Sequence, residues 1–254
     1  ELSGLENIEA AVEQSGIFDS IVEFEAALQQ LSGDPTDSAR RAAVLSEAET
    51  LAAKFNITSG SLSSVGEGLR FNAVANVADM NTYGAELARV NLRLARAGFG
   101  SNDQASLLDQ RDNLLEKMSA FASISTTFAS DGTVAVSVGS PATSFVSGGN
   151  VGTMTSTTAA NGTMGFAIDG AAISPGAGSL AGAALALDDL AAIAIRLDSA
   201  ASSIASAINT AQVNGVALDG TAGQPIFSGN TAATLSVVLS SGSGIATAPA
   251  GPPA

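Results

Sequence analysis

The sequence predicts a mainly α chain with an inserted small β domain, an α+β architecture. Long antiparallel helices form an elongated rod and the β part sits on it as a knob. Three observations carry this. An apolar track with the period of a helix runs from Leu51 to Leu94. Period-two alternation and turn signals fill 122–178. Helical period then returns from Leu187 to Ala211. The expected domains are 1–121 plus 179–254, helical, and 122–178, β-rich.

In chain order, Ile17, Ile21, Phe24, Leu28 and Leu31 recur at helical spacing between Ser15-Gly16 and Ser32-Gly33. Asp34-Pro35 then has the form of an N-cap with proline at the first helical position. The long helix that follows is expected from Pro35 to Ala97. Its track is Leu51, Phe55, Thr58, Leu62, Val65, Leu69, Ala73, Val77, Met80, Tyr83, Leu87, Val90 and Leu94, stepping by threes and fours. At ~1.5 Å per residue such a helix reaches roughly 90 Å. Gly60, Gly66 and Gly68 weaken it by about 1 kcal/mol each relative to Ala and mark a place for a break. Gly98-Phe99-Gly100 supplies a glycine stop.

Ser101-Asn102-Asp103 caps the next helix, expected to run to Phe121 with Leu107, Leu108, Leu114, Leu115, Met118 and Phe121 on one face. Short strands are expected over 123–129, 133–138, 143–146, 151–157 and 163–168, the first two joined by an Asp131-Gly132 turn. The returning helix presents Leu187, Leu190, Ala194, Leu197, Ala201, Ile204, Ile208 and Ala211 as a seam for another long helix. After Asn214 come turns and one strand-like run, Leu235–Leu239. The Gly/Ala/Pro tail reads as loop rather than core.

Composition narrows the function. The chain has 254 residues and a formal net charge of -14, with no Cys, His or Trp. That removes disulfides, thiolate and imidazole metal sites and every His-based triad. The acidic balance argues against binding nucleic acid or anionic lipid, both of which need clustered Lys and Arg. Residues 1–117 hold nine of the ten basic groups and eighteen of the acidic ones; 118–254 hold Arg196 and six Asp. The second segment therefore builds its surface from hydroxyl and small residues, as extracellular assembly proteins often do. The absence of Cys fits export.

Several carboxylates were candidates for chemistry. Asp109, Arg111 and Asp112 share a helix without a nearby His or Cys, and read as a device fixing helix register against the long helix. Asp188-Asp189 and Asp198 read as a solvated face, because adjacent residues point apart and cannot flank one glycosidic bond. Asp131-Gly132 and Asp219-Gly220 lack the spaced oxygens and closing Glu of a calcium loop. No catalytic, cofactor-binding or metal-binding residue is assigned. The expectation is a protein that is not an enzyme and carries no cofactor. No stretch reads as a membrane span.

Three runs in order carry a family resemblance. The first is Asp34-Pro35-Thr36-Asp37-Ser38-Ala39-Arg40-Arg41, leading into Leu51-Ala52-Ala53-Lys54-Phe55-Asn56. The second is Leu107-Leu108-Asp109-Gln110-Arg111-Asp112-Asn113-Leu114-Leu115. The third is Ala205-Ser206-Ala207-Ile208-Asn209-Thr210-Ala211-Gln212, followed by Gly215, Asp219-Gly220, Gly223 and Ile226-Phe227. Together they resemble the FlgK family, the hook-associated proteins 1 at the hook–filament junction of the bacterial flagellum. The resemblance covers roughly 17–121 and 185–245. It implies an internal fragment without the two terminal coiled-coil segments of that family. It implies self-assembly into a ring zone, with hook protein below and hook-associated protein 3, then flagellin, above. It also implies an extracellular flagellar location reached without a cleaved signal peptide, and a fragment that is monomeric in isolation. The alternative is a cell-surface adhesin or glycan-binding module carried by the β insert, whose aromatics beyond residue 130 are Phe145 and Phe166. A carboxylate hydrolase is the third class weighed.

Overall fold

The computed structural model describes residues 6, 8–10, 13, 15–97 and 100–249. Four helices dominate: α1 (Ile17–Gly33), α2 (Ser38–Leu94), α3 (Asn102–Ser119) and α4 (Gly178–Val213). Between α3 and α4 lie β1 (Ile124–Phe128), β2 (Val134–Val138), β3 (Thr143–Ser147), β4 (Asn150–Val151), β5 (Met154–Thr158), β6 (Met164–Ile168) and β7 (Ala171–Ile173). After α4 come β8 (Gly215–Val216), β9 (Phe227–Ser228), β10 (Ser236–Val237) and β11 (Ala248–Pro249). The fold is α+β, as the sequence predicts.

Two compact units divide the chain. Among the described residues, one holds 66–191 and the other holds those up to 65 together with 192–249. The boundaries between them lie at 65/66 and 191/192. They fall inside α2 and α4, so each long helix contributes to both cores.

In the 66–191 unit, strands form two antiparallel meanders, ordered β1-β2-β3-β4 and β5-β6-β7. Their inner residues Val134, Val136, Val138, Phe145, Phe166 and Ile168 pack on Met80, Leu87 and Leu94 of α2 and Leu107, Leu114 and Met118 of α3. Gly84 of α2 meets the Phe145 ring, where an added Cβ would lie 2.7 Å from Cε1. The ends of α3 and α4 satisfy one another. Ser179 and Leu180 donate their backbone N–H to the carbonyls of Ala120 and Phe121, at 2.9 and 3.0 Å. Two orphan donors at the start of α4 thereby meet the two carbonyls that follow α3. The junction needs Gly178 at φ 74°, where an added Cβ would lie 2.6 Å from the Phe121 carbonyl oxygen. Here α4 runs antiparallel to α2: Asn76 donates to the Ser179 hydroxyl, and Gly66 faces Leu190.

In the other unit, Phe24, Ala27 and Leu31 of α1, Val44, Leu51 and Phe55 of α2, and Ala201 and Ala205 of α4 enclose Ile226, Phe227, Leu235 and Ile245. Each such large side chain contributes about 1.5–3 kcal/mol by leaving water.

The α2 track follows the sequence: Leu51, Phe55, Thr58, Leu62, Ala73, Val77, Met80, Leu87, Val90 and Leu94 are all buried, and Val65, Leu69 and Tyr83 are half-buried. Four expectations are corrected. The helix does not break at Gly60, Gly66 or Gly68; a local cost of about 1 kcal/mol each is small against the packing on either side. Its N-cap is Asp37, not Asp34. Asp37 accepts the N–H of Ala39 at 2.7 Å and of Arg40 at 3.2 Å, while Asp34 accepts the Thr36 hydroxyl. The α4 seam ends before Ala211, which is exposed; the neighbouring Gln212 is buried and accepts the Ala246 N–H at 2.8 Å. The tail is core in part: Ile245 is buried and Ala248–Pro249 pairs with β8. The expected stop at Gly98-Phe99-Gly100 falls mostly outside the described residues, as does the end of the tail.

Candidate assembly surfaces

The polar side chains of the helices do one job repeatedly: they hold irregular backbone. Asn91, buried on α2, accepts the Val134 N–H at 2.9 Å and donates to the carbonyls of Val134 and Gly148 at 2.8 and 3.0 Å. Asn81 does the same for Met154, at 2.8 and 2.9 Å. Asn209 on α4 accepts from Ile226 and Phe227 and donates to the Phe227 carbonyl. Asn56 donates to Ala232 and Leu235. An Asn side chain carries one donor group and one acceptor in the geometry of a peptide, so each helix offers the strand a partner it otherwise lacks.

Arg41 is the largest case. Only 2% exposed, its guanidinium donates to the carbonyls of Pro35, Gly242 and Ile245 and to the Thr247 hydroxyl, at 2.7–2.9 Å. No carboxylate is among these partners. The charge is carried by backbone dipoles, which ties the turn before α2 to the 242–247 loop.

The carboxylates weighed for chemistry are scattered. Arg111 pairs with Asp112 at 2.7 Å, donates to the Gly132 carbonyl at 2.7 Å, and lies over the Phe128 ring at 4.8 Å. It therefore ties α3 to the β1–β2 turn, not to the long helix as expected. Asp109 is exposed on a groove between α2 and α3. Asp188 and Asp189 are exposed. Asp198 is not simply solvated: half-buried, it accepts the Ala232 N–H at 2.8 Å. Asp131 and Asp219 each accept the N–H and hydroxyl of a Thr two residues on. For Asp131 the Thr133 N–H, then its hydroxyl, hold the carboxyl below the usual carboxylate range; for Asp219 the Thr221 hydroxyl leads. Asn161 fills the same place before Thr163. Among the described residues no three acidic groups gather as a metal site, and no helix is long and apolar enough to cross a membrane.

Phe145 and Phe166 are buried, so neither offers a face on which a sugar could stack. Most of the exposed large apolar side chains lie on helices. In the 66–191 unit the α2–α3 groove, about 590 Å³, is lined by Glu86, Arg89, Arg93, Asp109, Asn113 and Lys117 over Val90 and Leu114. In the other unit Phe18 and Val22, 76% and 49% exposed, stand one turn apart on α1. Exposed apolar side chains on helices are the material of subunit contacts rather than of catalysis.

Comparisons with known proteins give the family. The model of the flagellar hook-associated protein FlgK helical domain matches residues 2–227. Flagellar hook-associated protein 1 of Bacillus subtilis (strain 168) is 28% identical over 131 residues, 52% of this chain and 26% of that protein. The protein of the same name from Salmonella typhimurium is 28% identical over 138 residues, 52% of this chain and 24% of that protein. In fold, the chain is similar to the flagellar hook junction protein FlgK from Burkholderia pseudomallei, with a TM-score of 0.74 at 23% identity over 89% of this chain and 44% of that one. The chain spans about a quarter of the length of the curated relatives it matches.

Proposed function

The chain belongs to the family of FlgK helical domains, and we propose that it is a structural segment of a junction between flagellar hook and filament. The observation that carries this is the family match across 2–227, supported by relatives that are themselves named hook-associated protein 1. The segment works by geometry. Two cores share the same two long helices, and Asn and Arg side chains pin the intervening loops to them. The surfaces left over are helical and mixed in polarity, suited to many modest side-by-side contacts whose strength adds through closed symmetry.

In this reading the helical segments 1–121 and 179–254 carry the assembly contacts and 122–178 is an insert upon them. Its neighbours are hook protein on one side and hook-associated protein 3 on the other, outside the cell, reached by export without a cleaved signal. The segment catalyses nothing and is monomeric when isolated. Gold-conjugated antibody against this chain tests the placement. Label confined to the join between hook and filament is expected. Label along the filament, or on the cell body alone, refutes it.

A further inference from the structure

Two surfaces of the chain are complementary and lie in different units. The first is the outer face of α1. It places Phe18 and Val22 between Asp19, Glu23 and Glu25, all exposed. Residues 6–33 contain no Lys or Arg at all. Among the described residues the ion pairs are Asp37–Arg40, Arg93–Asp103 and Arg111–Asp112, so none relieves the α1 carboxylates. The second is the α2–α3 groove. In a chain of net charge -14 it sets out Arg89 and Arg93, one helical turn apart, with Lys117 facing them, above the apolar side chains of Val90 and Leu114. Glu86 and Asp109 share the groove and Arg93 is paired at its rim with Asp103 at 3.6 Å, so it is a mixed site whose lining holds three cations and two carboxylates, open to a ridge that brings both carboxylates and apolar groups.

We propose that the α1 ridge of one copy docks in the α2–α3 groove of a second copy. Phe18 and Val22 would meet the floor, and Asp19, Glu23 and Glu25 the cations. The contact is heterologous: a copy that gives its ridge keeps its own groove free. Repetition yields a ring or a helical array. The inference rests on the assembly role proposed above and names the surface that would serve it. Its charge pairs are exposed, so each is worth up to about fivefold in association constant and weakens as salt rises.

A charge exchange tests it in the full chain. One variant carries D19K, E23K and E25K; the other carries R89E, R93E and K117E. All six side chains are exposed or on the rim, and circular dichroism verifies folding. Sedimentation at low ionic strength is read for each. The wild type, a monomer when dilute, is expected to self-associate weakly at high protein concentration and to dissociate as salt rises. Each variant alone is expected to be monomeric, since its ridge and groove then carry like charge. Mixed, the two associate again, because the reversed ridge meets the reversed groove and the unaltered ridge meets the unaltered groove. A control with the same three-charge reversal at Glu49, Glu67 and Asp79, all exposed, keeps its own ridge and groove and is expected to self-associate as the wild type does. A mixture that stays monomeric overturns the proposal, as does wild-type association unchanged in either variant. Either failure leaves the gold-label result untouched, so the surface and the junction role fall separately.

Discussion

Removing the Asn91 amide should destabilise the chain far more than an ordinary polar-to-Ala change on a helix. Asn91 is 1% exposed and Val134 2%. In Asn91→Ala the Val134 N–H loses its acceptor at 2.9 Å and its carbonyl loses a donor at 2.8 Å. The Gly148 carbonyl, partly exposed, turns to water. Two buried groups left unpaired cost about 1–3 kcal/mol each, and the emptied side-chain volume adds to that, giving about 3–5 kcal/mol. The assay is urea unfolding followed by far-ultraviolet circular dichroism and by fluorescence of Tyr83, the single tyrosine in a chain without Trp. Its ring stacks on Phe121 at 6.0 Å within the same unit, so it reports there. Asn81→Ala removes the corresponding clamp on Met154 at a half-buried position and should cost about 1–3 kcal/mol. A loss below about 1 kcal/mol in Asn91→Ala, or a larger loss in Asn81→Ala, would refute the reasoning that backbone satisfaction dominates here.

Other perturbations probe the remaining devices. Arg41→Met strands four acceptors and should lower stability by about 2–4 kcal/mol, with Arg41→Lys, which keeps charge and some donors, losing about half that; urea midpoints decide. Gly84→Val drives a branched side chain onto the Phe145 ring, costing about 1–3 kcal/mol by overpacking, read as a fall in melting temperature. For Asp131 and Asp219, folded carboxyls held below their ordinary range stabilise above the unfolded value, and that contribution is lost as pH falls through the lower folded one. Amide exchange at Thr133 and Thr221 should therefore quicken as pH drops below the ordinary Asp range, after correction for the intrinsic rate, while Thr163, held by the non-titrating Asn161, does not follow. Equal behaviour at all three would contradict the assignment.

Much of the fold was legible because periodicity reports burial directly. The α2 track and the strand alternation needed no knowledge of partners. The clamps were not legible for the opposite reason. Asn91, Asn81, Asn56 and Asn209 read as polar helix positions, and their partners lie 17–179 residues away. Asn91 did leave a trace: it sits between Val90 and Leu94 on the buried side of the track. Arg41 reads as one more basic residue of the first segment, since nothing local shows that carbonyls from 242–245 converge on it. Gly66 and Gly84 show how weak local propensity is against packing: one faces Leu190 and the other Phe145, and the helix continues. One further signal stands in the sequence itself. The pattern Ala-x-Asp/Asn-Gly-Thr occurs at 129–133, 159–163 and 217–221. Each copy builds the same turn, with Gly132, Gly162 and Gly220 at φ 84–87°. The surfaces that would join copies were hidden because an exposed Phe18 is visible only once Phe24 and Leu31 have claimed the core side of α1.

The junction role is tested most directly by deleting the parent gene in its host and examining the cells by electron microscopy, with filament protein assayed in the medium. The account predicts complete hooks, no filaments, and unpolymerised filament protein shed outside. Filaments of normal length on the deleted strain would contradict it.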